Sequence, residues 1–484
     1  NAISIREGGS LVVLRELLIK MVAIRPEWQW VVVVHSKAKE LLPVLPSVKY
    51  KIFPEIEEQA WRVRLWYEFG LPRFLKQVSA KLLFSHTNYL PLRSMPCRTL
   101  LLVQHAGHFS SVFRQLTEQN TSVIRKLAWR LKGRWVRSSV CRADMVTVQT
   151  KALASRIMHE TGCSLDHVRV VAHGCGQFQQ YARAAVPPVA DEPIRVGYIT
   201  KAGVQKNFIT LFRAVKILKD KGIRLKLVLT LSEDLADNRL TLALAGQYGI
   251  TDLIENHGEL SVEAVDQHYR TLHLFVFPSL CESFGFPMVE AMAYGIPLLV
   301  ADVDSNIEVA GAGAGAFPAY DQNALALEIE CLASDTDLFK QRAVASLTRS
   351  IDFNWSNAAT GTLSLMNEVM DDESKKMMEE MQKLLEEMNK EKMKKLLDEM
   401  DKENTDLEKE LDRNLELFKQ LEFEQKLEET IEKIDQLKEN QENLKNKTDD
   451  KKSDTKKLAS EQEKLQKELK DLENDLKNLE EKSS

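Results

Sequence analysis

The chain has 484 residues, 44% hydrophobic and 28% charged, with a formal net charge of −5. That length exceeds one ordinary domain, and six cysteines with no Cys-x-x-Cys pair or metal-ligand spacing exclude a disulfide framework and read as free thiols of a cytosolic protein. No apolar run is long enough to span a bilayer and no signal peptide opens the chain, which leaves a soluble or peripherally attached protein.

The opening Asn1-Ala-Ile-Ser-Ile-Arg-Glu-Gly-Gly-Ser10 forms a glycine loop leading into a helix over 11–23. Such a loop normally follows a first strand, and none precedes it, so the chain is expected to begin inside a domain. Strands are expected at 30–35, 48–53, 81–86, 99–105, 145–150 and 168–173. A second series is expected at 194–200, 225–231, 253–257, 274–278 and 296–302. Buried strands separated by helical patterns predict parallel sheets covered on both faces. The segment 174–191, with Pro187-Pro188, breaks that rhythm and reads as a linker. The expected domains are therefore a Rossmann-like N-terminal domain over 1–173, lacking its first strand, and a second Rossmann-like domain over 192–350. A closing helix over 351–370 and a tail over 371–484 follow.

Residues 125–137 hold Arg125, Lys126, Trp129, Arg130, Lys132, Arg134, Trp135 and Arg137. This basic, aromatic stretch reads either as a contact with an anionic membrane or as an amphipathic helix with a solvated basic face. No recognition motif for nucleic acid accompanies it.

The tail differs in composition. It carries 36 acidic and 25 basic residues, a net of −11, against +6 for the rest of the chain, and it lacks Gly, Pro, Cys, Trp, Tyr and His altogether. Leu458, Leu465, Leu469, Leu472, Leu476 and Leu479 follow coiled-coil spacing, as do Leu407, Leu411, Leu415, Phe418 and Leu421. The leucine-free run 445–457 turns the chain into a helical hairpin; a single helix that needs a partner chain is the other reading.

The chemistry concentrates in Cys281-Glu-Ser-Phe-Gly-Phe-Pro-Met-Val-Glu290, followed by Ala-Met-Ala-Tyr-Gly-Ile-Pro297. A buried strand delivers this loop to a sheet edge, and a helix and a further strand follow, which is the frame of a nucleotide pocket. Pro287 suits the first helical position. The amides of Ser283, Phe284, Gly285 and Phe286 then open a helix N-terminus suited to a diphosphate. Glu290, one turn into the helix, is placed for ribose hydroxyls, and Glu282 for a sugar. Gly8 and Gly9 would let the backbone approach a ligand closely.

Glu282-x7-Glu290 in this frame resembles the donor motif of retaining glycosyltransferases of family 4. The resemblance covers about residues 1–368 and includes Gly8-Gly9-Ser10, Ala143-Asp-Met-Val-Thr-Val-Gln-Thr150, Val170-Val-Ala-His-Gly174, Phe277-Pro-Ser279 and Phe353-Asn-Trp355. It implies an α/β protein of GT-B fold, with two Rossmann-like domains facing a cleft, followed by an α-helical coiled-coil tail. It also implies retaining transfer of a sugar from a UDP- or GDP-sugar to a glycan or lipid-linked acceptor. By this resemblance Glu282 contacts the transferred sugar and Glu290 binds the ribose. Lys206, before Asn207, stabilises the leaving diphosphate. His105 meets the sugar from across the cleft, with His108 near enough to compete. The family's arginine position holds Tyr198, a departure, and Lys201 is the candidate to supply the missing charge.

No carboxylate pair fits a double displacement. In the resemblance the acceptor hydroxyl passes its proton to the leaving phosphate, so no protein base is needed. Asp302-Val-Asp304 falls after the donor loop, so no metal and no other cofactor is expected. Two rivals stay open: a nucleotide-sugar epimerase or phosphorylase-like enzyme on the same fold, and an inactive body carried by a structural coiled coil. The tail resembles coiled-coil segments of large bacterial membrane-anchored proteins, and self-association through 371–484 is expected of it. The abrupt join at 367–371 fits a fusion or a natural enzyme with an oligomerisation tail. The expected location is the cytoplasm, free or peripheral at the inner face of the cell membrane.

Overall fold

The computed structural model describes residues 1–57, 60–119, 123–176, 185–189 and 192–386, with seven isolated helical positions between 438 and 470. Asn1–Lys376 form one compact unit and Met377–Ser484 a second.

Twelve strands occur among the described residues: β1 Trp30–Val33, β2 Val48–Lys51, β3 Leu82–Ser85, β4 Arg98–Leu102, β5 Met145–Val148, β6 Val168–Val170, β7 Ile194–Tyr198, β8 Leu225–Leu229, β9 Ile254–Asn256, β10 Leu274–Phe277, β11 Leu298–Ala301 and β12 Ala314–Phe317. The eleven expected strands are all present, each trimmed where its apolar run continues into a loop. The twelfth, β12, was not expected, because Ala-Gly-Ala-Phe has almost no apolar bulk. It adds to the sheet edge beside β11, where a Cβ on Gly315 would lie 2.7 Å from the Leu299 side chain.

In the N-terminal lobe β3, β4, β5 and β6 form a parallel sheet, and β1 and β2 a parallel pair. Asn1 and Ala2 stand between them. The Ala2 amide donates to the Val33 carbonyl at 2.8 Å, Ala2 bridges Val34 in parallel, and the His86 amide donates to the Asn1 carbonyl at 2.8 Å. These two residues occupy the place of the strand that the glycine loop was expected to lack.

The C-terminal lobe is one six-stranded parallel sheet in the order β12-β11-β10-β7-β8-β9. The first strand of this half, β7, therefore lies beside the fourth, β10. Strand order reverses there, and the carboxyl ends of β7 and β10 mark the switch point at which sheets of this kind form a ligand crevice. Buried aliphatic and aromatic side chains from all of β7, β8, β10 and β11 fill the core beneath it.

The last helix, Trp355–Glu386, runs without a break through the expected boundary at 370. Its start returns to the N-terminal lobe: Trp355, Ala359, Leu363 and Met366 pack with Leu100, Leu102 and Met145, and Arg169 meets Glu368 at 3.1 Å. In the second unit the side-chain amides of Gln441 and Gln462 exchange hydrogen bonds of 3.3 and 3.5 Å, joining positions on either side of 445–457. The heptad leucines lie outside the described residues, Leu469 excepted, and the hairpin reading otherwise falls there too.

Candidate active site at the sheet switch point

The two loops of the crevice carry a cation and a carboxylate in contact. Lys206 follows β7, and its Nζ donates to Glu282 Oε1 at 2.6 Å; Ser279 Oγ donates to the same oxygen at 2.6 Å. Both members of the ion pair keep a minority of their side chain exposed, 14% for Lys206 and 17% for Glu282. They are shielded enough to interact strongly and open enough to meet a ligand. Three backbone contacts brace the two loops. The Leu280 amide donates to the Gln205 carbonyl at 2.8 Å, the Tyr198 hydroxyl to the Lys206 carbonyl at 3.0 Å, and Asn306 Nδ2 to the Ser279 carbonyl at 2.8 Å. Tyr198, where the resemblance expects arginine, is thus a fully buried prop for Lys206.

The helix after the β10 loop spans Phe286–Ala293, so Pro287 sits at its second position rather than its first. Gly285 precedes it with φ 83°, the left-handed region that favours glycine. A Cβ there would also lie 2.6 Å from Met288 and 3.2 Å from Phe277. Phe284 is buried and packs edge-on against Phe286 and Phe353, so its side chain builds the core.

Glu290 is half-buried one turn along. Tyr269 donates its hydroxyl to Glu290 Oε2 at 2.9 Å. Burial pushes the Glu290 carboxyl up to about 7, against a smaller downward pull from that hydrogen bond. Its Oε1 lies 2.3 Å from where a Cβ on Gly176 would stand, and Gly176 has φ 69°. Tyr269 and Gly176 were not foreseen; they come from a helix and from the linker, and neither carries a local sequence signal.

The opposite lobe closes on this surface. A Cβ on Gly9 would lie 3.2 Å from the Phe286 ring, and Gly8 has φ 74°. Thr150 Oγ1 donates to the Ser283 carbonyl at 3.1 Å, and Cys281 is buried within the N-terminal lobe's own core. Glu308 accepts from the amides of Lys151 and Ala152 at 2.6 and 2.8 Å, capping the helix Lys151–Thr161 from across the cleft. This contact was not foreseen, since its two sides lie in different lobes.

His105 ends the segment after β4, exposed at the cleft. Its Nδ1 accepts from the Gly107 amide at 3.2 Å. Burial of its surroundings, with Lys132, lowers its pKa, while the facing Glu282 carboxylate raises it. His108 is buried and stacked on Trp129 at 4.3 Å, and burial lowers its pKa to about 3. Of the two histidines, His105 is the exposed residue. Lys201 does not join Lys206: its Nζ pairs with Glu7 of the opposite lobe at 3.0 Å and with Glu259 at 3.7 Å. The basic stretch lies on the helix Val123–Arg142.

Comparison with known proteins places the chain by family and fold. Residues 183–346 match the family described as glycosyl transferases group 1, so the donor lobe is a glycosyltransferase domain. The D-inositol 3-phosphate glycosyltransferase of Streptomyces bingchenggensis is 26% identical over 246 residues, 47% of this chain and 53% of that protein. The serotype-specific mannosyltransferase WbdA of Escherichia coli is 34% identical over 120 residues, 24% of this chain and 15% of that protein. The chain thus spans about half or less of the length of these curated relatives. Sucrose-phosphate synthase from Thermosynechococcus elongatus superposes with a TM-score of 0.59 at 18% identity, covering 75% of this chain and 94% of that one. Anabaena HepE, solved with UDP and glucose, gives 0.53 at 14% identity over 74% and 96%. These structures share the fold, which is GT-B-like.

Proposed function

We propose that the protein is a retaining glycosyltransferase that moves a sugar from a UDP- or GDP-sugar to a hydroxyl of a glycan or lipid-linked acceptor. The observation that carries this reading is the Lys206–Glu282 pair at the switch point, with Glu290 one turn along the adjoining helix. The UDP and glucose held by HepE, a relative in fold, support a nucleotide-sugar donor. Glu290 would accept hydrogen bonds from the ribose, the amides of residues 283–286 would receive the diphosphate, and Glu282 would orient the sugar.

As the glycosidic bond breaks, its electron pair passes to the β-phosphate oxygen. Lys206 stands where that charge grows and lowers the barrier. The acceptor oxygen bonds to the anomeric carbon on the face the phosphate leaves, and the acceptor proton goes to the phosphate oxygen. His105 would contact the sugar from the other lobe. Lys201 is the second cation, released from Glu7 when the donor arrives. No metal or other cofactor enters the proposal.

Incubation with labelled UDP- and GDP-sugars tests it: label should appear in an acceptor only when acceptor is added, and a Lys206→Ala variant should lose transfer. Conversion of the sugar nucleotide without acceptor would favour an epimerase. Tyr198, uncharged and buried where a cation is expected, favours a second reading, a body that binds donor without turnover. Donor binding without transfer would mark that case.

A further inference from the structure

The N-terminal lobe exposes large apolar side chains on neighbouring elements that its own core does not use. Trp61, Leu65 and Phe69 recur at four-residue spacing through the helix Ala60–Leu65 and the π-turn Trp66–Gly70, while Trp66, Tyr67 and Leu71 between them are buried. The inward face is packed; the outward face stays largely exposed. Leu127 and Leu131, also four apart, stand out from the helix Val123–Arg142, and Leu92 stands out from the loop between. All six are between 40% and 59% exposed. Single exposed leucines are ordinary, but these six belong to elements that touch. The Arg64 guanidinium lies 3.5 Å over the Trp135 ring, Trp135 Nε1 donates to the Leu90 carbonyl at 2.8 Å, and Arg93 lies 4.3 Å over Phe69.

Cations are interleaved with this apolar surface: Arg62, Arg64, Arg93, Lys126, Arg130 and Arg134. Among the described residues two carboxylates pair with them. Glu118 pairs with Arg130 at 2.6 Å, and Glu68 meets Arg64 at 3.6 Å and accepts from the Leu92 amide at 2.8 Å. Positive charge is left in excess. Aromatic and leucine tips beside long cations match the layering of a bilayer surface, where apolar groups enter the acyl boundary and guanidinium groups stay among anionic headgroups. The same helix carries Trp129 inward to His108 at 4.3 Å and to His105 at 5.6 Å. The patch is therefore the outer side of the wall that faces the proposed sugar site.

We infer that this face docks the protein on an anionic bilayer, so that the acceptor is a lipid-linked one held at that surface. The choice of acceptor rests on the transferase reading, whereas docking does not. Flotation of the full chain with vesicles, without donor or acceptor, tests docking alone. The protein should float with equal parts phosphatidylcholine and phosphatidylglycerol and stay at the bottom with phosphatidylcholine only. The triple variant Trp61→Ser, Leu65→Ser, Leu131→Ser and the double variant Arg93→Glu, Arg134→Glu should each lose vesicle affinity by roughly tenfold or more. Both should keep the wild-type thermal shift with UDP-sugar, because their changes lie outside the donor crevice. Wild-type protein that ignores anionic vesicles, floats equally with neutral ones, or is matched by both variants would overturn the inference.

Discussion

The proposed contact of Glu290 with the ribose predicts that donor binding depends on pH. Its carboxyl is pushed up to about 7 by burial, and the ionised form accepts hydrogen bonds from ribose hydroxyls far more strongly than the neutral acid, which keeps only its carbonyl acceptor. About one-tenth of the free protein carries the carboxylate at pH 6 and about nine-tenths at pH 8. Apparent affinity scales with the competent fraction, so binding of a UDP-sugar should tighten about tenfold, or ~1.4 kcal/mol, from pH 6 to pH 8. A UDP-sugar is the right probe, because its diphosphate is esterified at both ends and has no titration in that window. Glu290→Gln keeps the side chain's shape and removes its proton, so its profile should be weak and flat. Stability moves the opposite way. The folded pKa, about 7, lies above the model value of 4.5, so the folded state holds its proton longer and loses stability as pH rises from about 4.5 to about 7. The Gln variant should therefore gain on the order of 2 kcal/mol over wild type at pH 8, discounted for partial exposure, and little at pH 4. Isothermal titration and urea unfolding at the two ends of the range check both parts. A wild-type binding profile as flat as that of the Gln variant would refute the reasoning.

Lys206→Ala should lower kcat by roughly a hundredfold to a thousandfold, with a smaller effect on donor Kd, because its charge matters most as the phosphate leaves; single-turnover kinetics with labelled donor separate the two. Gly176→Ala should raise the donor Kd more than about tenfold, since the new Cβ would lie 2.3 Å from Glu290 Oε1 on a backbone of φ 69°; titration with a UDP-sugar reads this directly. Glu308→Ala removes the acceptor for the Lys151 and Ala152 amides and should cost about 0.5–2 kcal/mol in urea unfolding.

How much of this was legible in the sequence depended on whether the chemistry was local. Glu282, Glu290 and the loop between them lie in one stretch, where strand, turn and helix signals fix their mutual placement, and the structure sets them beside the β7–β10 switch. Lys206 was legible through its neighbour Asn207 and meets Glu282 directly. Partners recruited from elsewhere were not legible: Tyr269 lies on another helix, Gly176 in a linker, and Glu308 caps a helix of the opposite lobe. His105 and His108 are equivalent by spacing, and only the fold separates the exposed residue from the buried one stacked on Trp129. Lys201 looked like a free loop cation, but its contacts are Glu7 and Glu259. β12 escaped because pairing with β11, not side-chain bulk, makes it a strand.

The account stands most directly on whether the crevice between β7 and β10 binds a nucleotide sugar. A thermal-shift screen of wild type and Glu290→Ala against UDP- and GDP-sugars decides it. At a hundredfold excess over Kd, a ligand of the folded state adds about 2.7 kcal/mol of stability. The account predicts that one class of nucleotide sugar raises the wild-type Tm and leaves the variant unmoved. No shift with any donor, or an equal shift in both proteins, would contradict it.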